Sequence, residues 1–155
     1  MPDPRRLQVL SATKTRFQTI TVSNGYNTNA GQRVYHGVPH TKDDGDPWIV
    51  MSTPEPADYV EAAQNHRHVE MPVMVEAAMK PADPANPLAS AELLLGDLEK
   101  AIFLVDRTLG GLAKNVVSNR AGTRDREDGG ELVGAFVEFR VVYTDKYGDP
   151  YGEPA

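Results

Sequence analysis

The chain contains no cysteine among its 155 residues. Disulfide bonds, thiolate catalysis and zinc sites built on sulfur are therefore excluded. It also lacks any apolar run near the roughly 18 residues that a transmembrane helix requires. The start of the chain, Met1–Arg6, is charged and has no apolar stretch behind it, unlike a secretory signal peptide. We therefore expect a soluble, intracellular protein that does not insert into a membrane.

Basic residues are in the minority, with 16 Lys and Arg against 22 Asp and Glu and a net charge of −6. Since nucleic-acid-binding proteins generally present a basic surface, this balance argues against direct binding of DNA or RNA. Aromatic residues make up only 7% of the chain, but a hydrophobic share of 40% is too high for a disordered protein. The length fits a single domain, and 13 Gly and 12 Pro predict extended loops.

Reactive motifs are also missing. There is no GxSxG nucleophile elbow, and the pairs Gly110–Gly111 and Gly129–Gly130 match no phosphate-binding loop, so we interpret them as a helix stop and a turn. Asp43–Asp46 resembles the start of a calcium loop, but the Glu that completes such a loop is absent. No carboxylate pair stands out as a general acid and base. We therefore assign no catalytic residue, no cofactor-binding residue and no cofactor.

The first half of the chain predicts one helix and several short strands. Apolar residues recur at helical spacing over residues 4–21. Gln32–Gly37 and Trp48–Ser52 read as two strands joined by a charged, glycine-containing turn, which we interpret as a hairpin. Residues 58–68 are ambiguous and suggest a short helical turn.

The segment His66–Ala78 alternates between apolar and polar residues, which predicts a strand with one buried face. Pro72 lies inside it, so we expect an edge strand or a bulge. His66, His68 and Glu70 share the polar face and are a ligand set that suits zinc or iron. A metal site needs ligands that converge from several elements, so the favoured interpretation is a solvent-exposed strand face and no metal site.

The clearest helix is Ser90–Leu109. Ser90 is predicted to be its N-cap, and Gly110–Gly111 its end. Gly96 lies in its interior and suggests the close approach of another backbone, while Asp97 is placed on the solvent face. The apolar stripe consists of Leu94, Leu95, Leu98, Ala101, Ile102, Val105 and Leu109.

The last third of the chain predicts two strands around a loop. Residues 112–118 are a candidate strand, and residues 119–130 are charged and read as a mobile loop. Leu132–Tyr143 alternates again, with Phe136 and Val142 making its second face partly apolar. A strand that is apolar on both sides is central or is covered by a partner chain. Its first face carries Val137, Phe139, Val141 and Tyr143.

These elements define an α/β fold of the α+β type. We expect a single domain, residues 1–155, with a mixed, mostly antiparallel sheet, two main helices packed on it, and extended loops. Residues 144–155 are expected to form a flexible C-terminal tail.

Tyrosines near a polar chain end are typical interface anchors, because each pairs an apolar ring with a hydrogen-bonding tip. Together with the second face of the last strand, they give a set of candidate subunit or partner contacts: Trp48, Phe136, Val142, Tyr143, Tyr147, Asp149 and Tyr151.

The closing strand, Phe136–Thr144, reads FVEFRVVYT and is followed by Gly148–Asp149–Pro150. With the preceding helix, this arrangement resembles the tail terminator proteins of long-tailed bacteriophages, also described as minor tail protein U-like or tail completion proteins. The resemblance implies a homo-hexameric ring that caps the tail tube, ends its polymerisation and joins the tail to the head. The implied partners are further copies of the chain, the tail tube protein and the head-completion or neck proteins.

The resemblance also implies a place in the virion, in the tail or neck, after assembly in the host cytoplasm. DNA would pass the ring without sequence-specific binding, and an acidic chain permits this because a basic lumen would retain the phosphates. Three alternatives stay open. One is another neck protein, a head-closure or head–tail connector protein. The second is a small metal-dependent enzyme using His66, His68 and Glu70, and the third is a small α/β domain that binds a partner as a monomer.

Overall fold

A computed structural model describes residues 2–39, 45–63, 65–127 and 130–151 of the chain. It confirms the predicted class: one α+β domain in which two helices pack on a mixed, mostly antiparallel sheet of six strands. The helices and strands are α1 (Arg5–Gln18), β1 (Val34–His36), β2 (Trp48–Ser52), β3 (Asp58–Ala63), β4 (His66–Met79), α2 (Pro87–Glu99), β5 (Asn115–Arg124) and β6 (Val133–Lys146).

The centre of the sheet is the antiparallel pair of β4 and β6. Each strand has 14 residues, and the pairing runs without interruption from His66 opposite Lys146 to Met79 opposite Val133. The strand order is β1-β2-β4-β6-β5, and β3 pairs with β4 beyond the end of β2. The predicted alternation is confirmed, because the buried face consists of Val69, Met71, Val73, Val75, Val137, Phe139, Val141 and Tyr143.

The prediction that Pro72 marks an edge strand or a bulge was wrong, because the β4 pairing with β6 continues through Pro72 without a register shift. β4 has β6 along one side and both β2 and β3 along the other. Pro72 is tolerated because it lies between these two neighbours: the β2 pairing ends at Met74, and the β3 pairing begins at Glu70. Proline has no backbone N–H to donate to a neighbouring strand. Between Glu70 and Met74, no strand pairs with β4 on the side of β2 and β3, so the missing donor costs no hydrogen bond there.

The hairpin predicted for β1 and β2 was also wrong, because the two strands run parallel. Val34 lies opposite Ile49, and His36 lies opposite Met51. Each strand buries apolar side chains in either orientation, so the apolar pattern alone does not set the pairing direction. Residues 40–44 of the connection between them lie outside the described residues.

Two segments without a clear period form strands. Residues 58–63, where a helical turn was suggested, form β3 against β4. Much of the segment 119–130, predicted as a mobile loop, is the second half of β5, which continues to Arg124 against β6. Asn119 lies at a β-bulge between Ser118 and Arg120, and this irregularity interrupts the alternation that would have revealed the strand.

The predicted boundaries of α2 need correction at both ends. Asn86 is the N-cap and Pro87 the first helical residue. Ser90 instead lies inside the helix, buried, and its hydroxyl accepts a hydrogen bond from the Ala82 N–H at 2.9 Å. At the other end, α2 continues into a π-helical turn, residues 100–104. The helix therefore ends before Gly110–Gly111, which belong to the turn that follows.

The helices cover one face of the sheet. Phe139 of β6 is the meeting point, since its ring lies 6.3 Å from that of Phe17 in α1 and 6.2 Å from that of Phe103 after α2. Most of the predicted stripe of α2 is buried, but Val105 is 57% exposed because the helix has ended. Gly96 was predicted to allow the close approach of a backbone, yet a Cβ there would meet no atom within 4 Å.

Asp97, predicted on the solvent face, is 1% exposed. Its carboxylate accepts hydrogen bonds from the backbone N–H of Asn27 at 2.9 Å and of Thr28 at 2.8 Å. The Asn27 amide and the Thr28 hydroxyl donate two more. These bonds fasten the loop after α1 to α2, and the sequence separation of about seventy residues hides them from pattern analysis.

We predict that Asp97→Ala lowers the free energy of unfolding by about 2–4 kcal/mol, because the buried donors of Thr28 and the partly buried donors of Asn27 lose a charged acceptor. Urea denaturation measures this change. Glu92→Ala, at an exposed position of the same helix, is the matched control and should change stability little. Equal stability of the two variants would contradict a structural role for Asp97.

Candidate assembly surface

The face of the sheet opposite the helices, called here the open face, carries the even-numbered residues of β6. Two of the predicted contact residues, Phe136 and Val142, lie on it and are half-buried. Trp48, a third, lies at the start of β2 opposite Ala78 and is also half-buried. The structure thus brings three of the predicted residues onto one surface.

Phe136 is not a bare apolar side chain. The Arg124 guanidinium lies 5.0 Å from the centre of its ring, a cation–π contact. Gly122 lies on the same strand as Arg124, β5, directly opposite Phe136, and a Cβ added there would come within 3.1 Å of the ring. Part of the apolar second face of β6 is therefore covered within the chain.

Ion pairs extend across the open face. Arg120 binds Glu138 in a bidentate manner, with Nε donating to Oε2 at 2.9 Å and Nη2 donating to Oε1 at 2.7 Å. Arg140 Nη1 donates to Glu70 at 3.1 Å and lies 3.7 Å from Asp58. The two arginines thus join β5 to β6, and β6 to β4 and β3. The sequence pattern did not indicate this network, because Arg120 lies in the segment 119–130 that was predicted as a loop.

The metal-ligand candidates His66, His68 and Glu70 lie in the first part of β4, on the open face. Glu70 is engaged by Arg140, while His66 lies opposite Lys146 and His68 opposite Thr144. The three side chains therefore lie along one strand, among neighbours on β6. Within the described ranges, no group of three or more metal-ligating side chains is arranged to hold an ion.

The C-terminal candidates separate into core and surface. Tyr143 is 2% exposed and belongs to the core, and burial raises the pKa of its hydroxyl to about 12. Tyr147 is 67% exposed and Tyr151 40% exposed, and half-buried Asp149 lies in the turn between them. The two outer tyrosines therefore present their rings at the surface.

The segment after β6 contacts the rest of the domain. Asp145 is buried and accepts two hydrogen bonds from Arg67, at 2.7 and 3.0 Å. The Arg67 guanidinium also stacks 3.9 Å from the centre of the Tyr59 ring. Further on, the carbonyl of Pro150 accepts a hydrogen bond from the Arg5 N–H at 2.7 Å. The predicted flexibility of residues 144–155 stays a prediction, and residues 152–155 lie outside the described part of the chain.

An open cleft of about 410 Å³ lies at the end of the sheet where β2, β4 and β6 meet. Its lining combines the indole of Trp48 with charged residues, including Glu76, Arg124 and Glu131. Four carboxylates line it in all, those of Glu76, Asp125, Glu127 and Glu131, and among the described residues they are not arranged to hold a metal ion.

Comparison with known proteins gives a similar fold but no family. The fold is similar to that of a chain in the virion of a native gene transfer agent (GTA) particle, with a TM-score of 0.57 and 16% sequence identity. The match covers 87% of this chain and 93% of that chain. No family model and no curated protein sequence matches. Among the described residues, no helix combines the length and apolar content that a membrane crossing needs.

We predict that Arg120→Ala raises the pKa of Glu138. The bidentate hydrogen bonds from Arg120 are the main reason that the pKa of this carboxyl lies below its usual value. A lowered pKa means that the interaction stabilises the fold above the pKa of the unfolded chain, and that this stability is lost as the pH falls through the folded value. Carboxyl titration by NMR measures the change.

The matched control is Arg107→Ala, which removes an exposed arginine after α2 and should leave the Glu138 titration unchanged. An unaltered midpoint in Arg120→Ala would mean that the ion pair is absent in solution.

Proposed function

We propose that this chain is a structural protein of a virion and, more specifically, a tail terminator. In this proposal, copies of the chain form a ring, with six subunits expected, that caps the tail tube, ends its polymerisation and joins the tail to the neck. The observation that carries the proposal is the similarity of fold to a chain in the GTA virion, which spans nearly the whole of both chains.

The surface of the domain supports a role in assembly. Its helices leave one face of the sheet open, and that face has half-buried apolar residues among ion pairs. Interfaces between proteins commonly combine an apolar centre with polar surroundings in this manner. Tyr147 and Tyr151 add exposed rings at the end of the chain.

Two other functions remain as competing proposals. A head-closure or connector protein would have similar surfaces, since it also joins rings in the neck. A small metal-dependent enzyme would use His66, His68 and Glu70, and metal analysis of the purified protein tests it directly. Stoichiometric zinc or iron would favour the enzyme, but Glu70 is already engaged by Arg140.

The test of the terminator proposal is removal of the gene from a strain that produces the particle. Without a terminator, tail tubes should grow past their normal length and should not attach to heads. Electron microscopy of the lysate measures both properties, and expression of the intact chain from a plasmid should restore them. Tails of normal length that merely fail to attach would identify a head-closure or connector protein instead.

A single substitution tests the open face. We predict that Phe136→Asp leaves the domain folded but abolishes its ability to restore tails in that strain, because a charge at the apolar centre of an interface opposes docking. Circular dichroism checks the fold, and the complementation assay checks the function.

The control is Val137→Asp. The side chain of Val137 is fully buried on the helix-covered face, so a charge there should unfold the domain. Full complementation by Phe136→Asp would remove Phe136 from the contact surface. Unfolding of both variants would instead mean that Phe136 is needed for folding of the domain.

A further inference from the structure

Two strands of the sheet have an unpaired edge of substantial length. β5 has ten residues and pairs with β6 alone, and β3 has six residues and pairs with β4 alone, within the described part of the chain. The outward N–H and C=O groups of such strands are a template for adding another strand. The two edges lie on opposite sides of the sheet, because β4 and β6 stand between them.

The directions of these strands suit pairing between copies. β5 is antiparallel to β6, β6 is antiparallel to β4, and β4 is antiparallel to β3. β5 and β3 therefore run in opposite directions. A neighbouring copy in the same orientation would place its β3 antiparallel to β5, which continues the alternation already present in the sheet.

The charges of the two edges are complementary. β5 contains Arg120 and Arg124 and no acidic residue, whereas the described side chains of β3 include the acidic Asp58 and no basic residue. Two β5 edges brought together would oppose basic residues, and two β3 edges would oppose acidic ones. Like charges on adjacent strands are destabilising, so the pattern selects β5 with β3 and disfavours either strand with itself.

We propose that β5 of one copy pairs with β3 of the next, so that a continuous sheet runs across neighbouring subunits. The proposed register places Asp58 beside Arg120 and Val60 beside Val117. All four residues lie on the open face, because their partners on β4 and β6 are Glu70, Glu138, His68 and Arg140.

The bulge in β5 makes this register work. Arg120 and Val117 are three residues apart, yet the extra residue Asn119 brings both onto the open face. Asp58 and Val60 are two apart and share that face in an ordinary strand. One ion pair and one apolar pair can therefore form side by side.

The exposure of these side chains fits the proposed contact. Val60 is 60% exposed and Val117 is 45% exposed, so both side chains are accessible to a neighbouring copy. The side chains of Asp58 and Arg120 are 71% and 68% exposed. Arg120 uses Nε and Nη2 for Glu138, which leaves its Nη1 group to donate to a carboxylate of a neighbour.

This contact is head-to-tail, since it joins two different surfaces of the same chain. Such an interface generates a ring when the rotation between copies closes and a filament when it does not. The inference rests on the proposed function for closure into a ring, but the strand pairing itself can be tested separately.

The absence of cysteine makes a disulfide test clean. Val60→Cys and Val117→Cys are made in separate full-length chains that carry tags of different mass, and the two are mixed under mild oxidation. Adjacent cross-strand cysteines have the Cα separation that a disulfide needs. We expect a covalent dimer that contains both tags when the variants are mixed, and little dimer from either variant alone.

Two further samples extend the test. Val22→Cys, at a comparably exposed valine outside the sheet, replaces Val60→Cys as the matched control and should give no product with Val117→Cys. A chain that carries both Val60→Cys and Val117→Cys should give a ladder of covalent oligomers. The highest member of the ladder reports the number of subunits in a closed ring.

Each outcome decides between the two proposals. A covalent ladder from protein that microscopy shows as open filaments supports the strand pairing and contradicts the ring. If the protein forms rings but yields no disulfide, the ring proposal is supported and the proposed strand pairing is contradicted. Dimers from Val117→Cys alone would mean β5 pairs with itself, and a chain that stays monomeric and unlinked at high concentration also overturns the pairing.

A charge exchange gives independent evidence. Asp58→Arg should weaken self-association about fivefold or more, because it places like charges on adjacent strands. Adding Arg120→Asp in the same chain should recover part of the loss, and sedimentation analysis measures both. Equal association in wild type and Asp58→Arg would contradict the proposed register.

Discussion

The antiparallel pairing of β4 with β6 is the constraint on which the other parts of the structure depend. It joins two 14-residue strands in one register, and alternate residues of both are buried. A slip of one strand by one residue would turn all the apolar side chains of that strand to the open face, so the hydrophobic effect fixes the register strongly. Both helices pack on the face that this pairing creates, with Phe139 between Phe17 and Phe103. The remaining strands then add to its two outer sides.

This central pair is also what the sequence predicted best. The alternating runs His66–Ala78 and Leu132–Tyr143 identified both strands and their buried residues, because burial on one face leaves a period of two. The errors arose where long-range contacts decide the outcome. The apolar pattern of β1 and β2 does not indicate their parallel direction, the bulge hides β5, and the burial of Asp97 depends on donors about seventy residues away. The central position of β4 was missed because Pro72 fits a gap between two strands, which only the assembled sheet contains.

The predicted contact surface changed in character for the same reason. From the sequence, Phe136 and Val142 indicated an apolar second face on β6 that needed a partner for cover. In the fold, neighbouring strands bring Arg124 over Phe136 and Glu138 against Arg120, so side chains of the same chain cover part of that face. The open face is thus a mixed surface, and burial of apolar area is a smaller part of what a partner would gain there. Contacts with this face would depend on shape and on matching charges.

The strand edges differ from the open face in this respect, because their backbone groups have no partner strand within the described chain. Each hydrogen bond formed between strands contributes about 0.5–1.5 kcal/mol net, whereas an exposed ion pair contributes about 0–1 kcal/mol. Pairing along the six residues of β3 would therefore take most of its strength from the backbone. Backbone pairing alone does not distinguish one strand from another. The separation of charge, acidic on β3 and basic on β5, supplies that distinction. Ion pairs that contribute little binding energy can therefore still decide which surfaces meet.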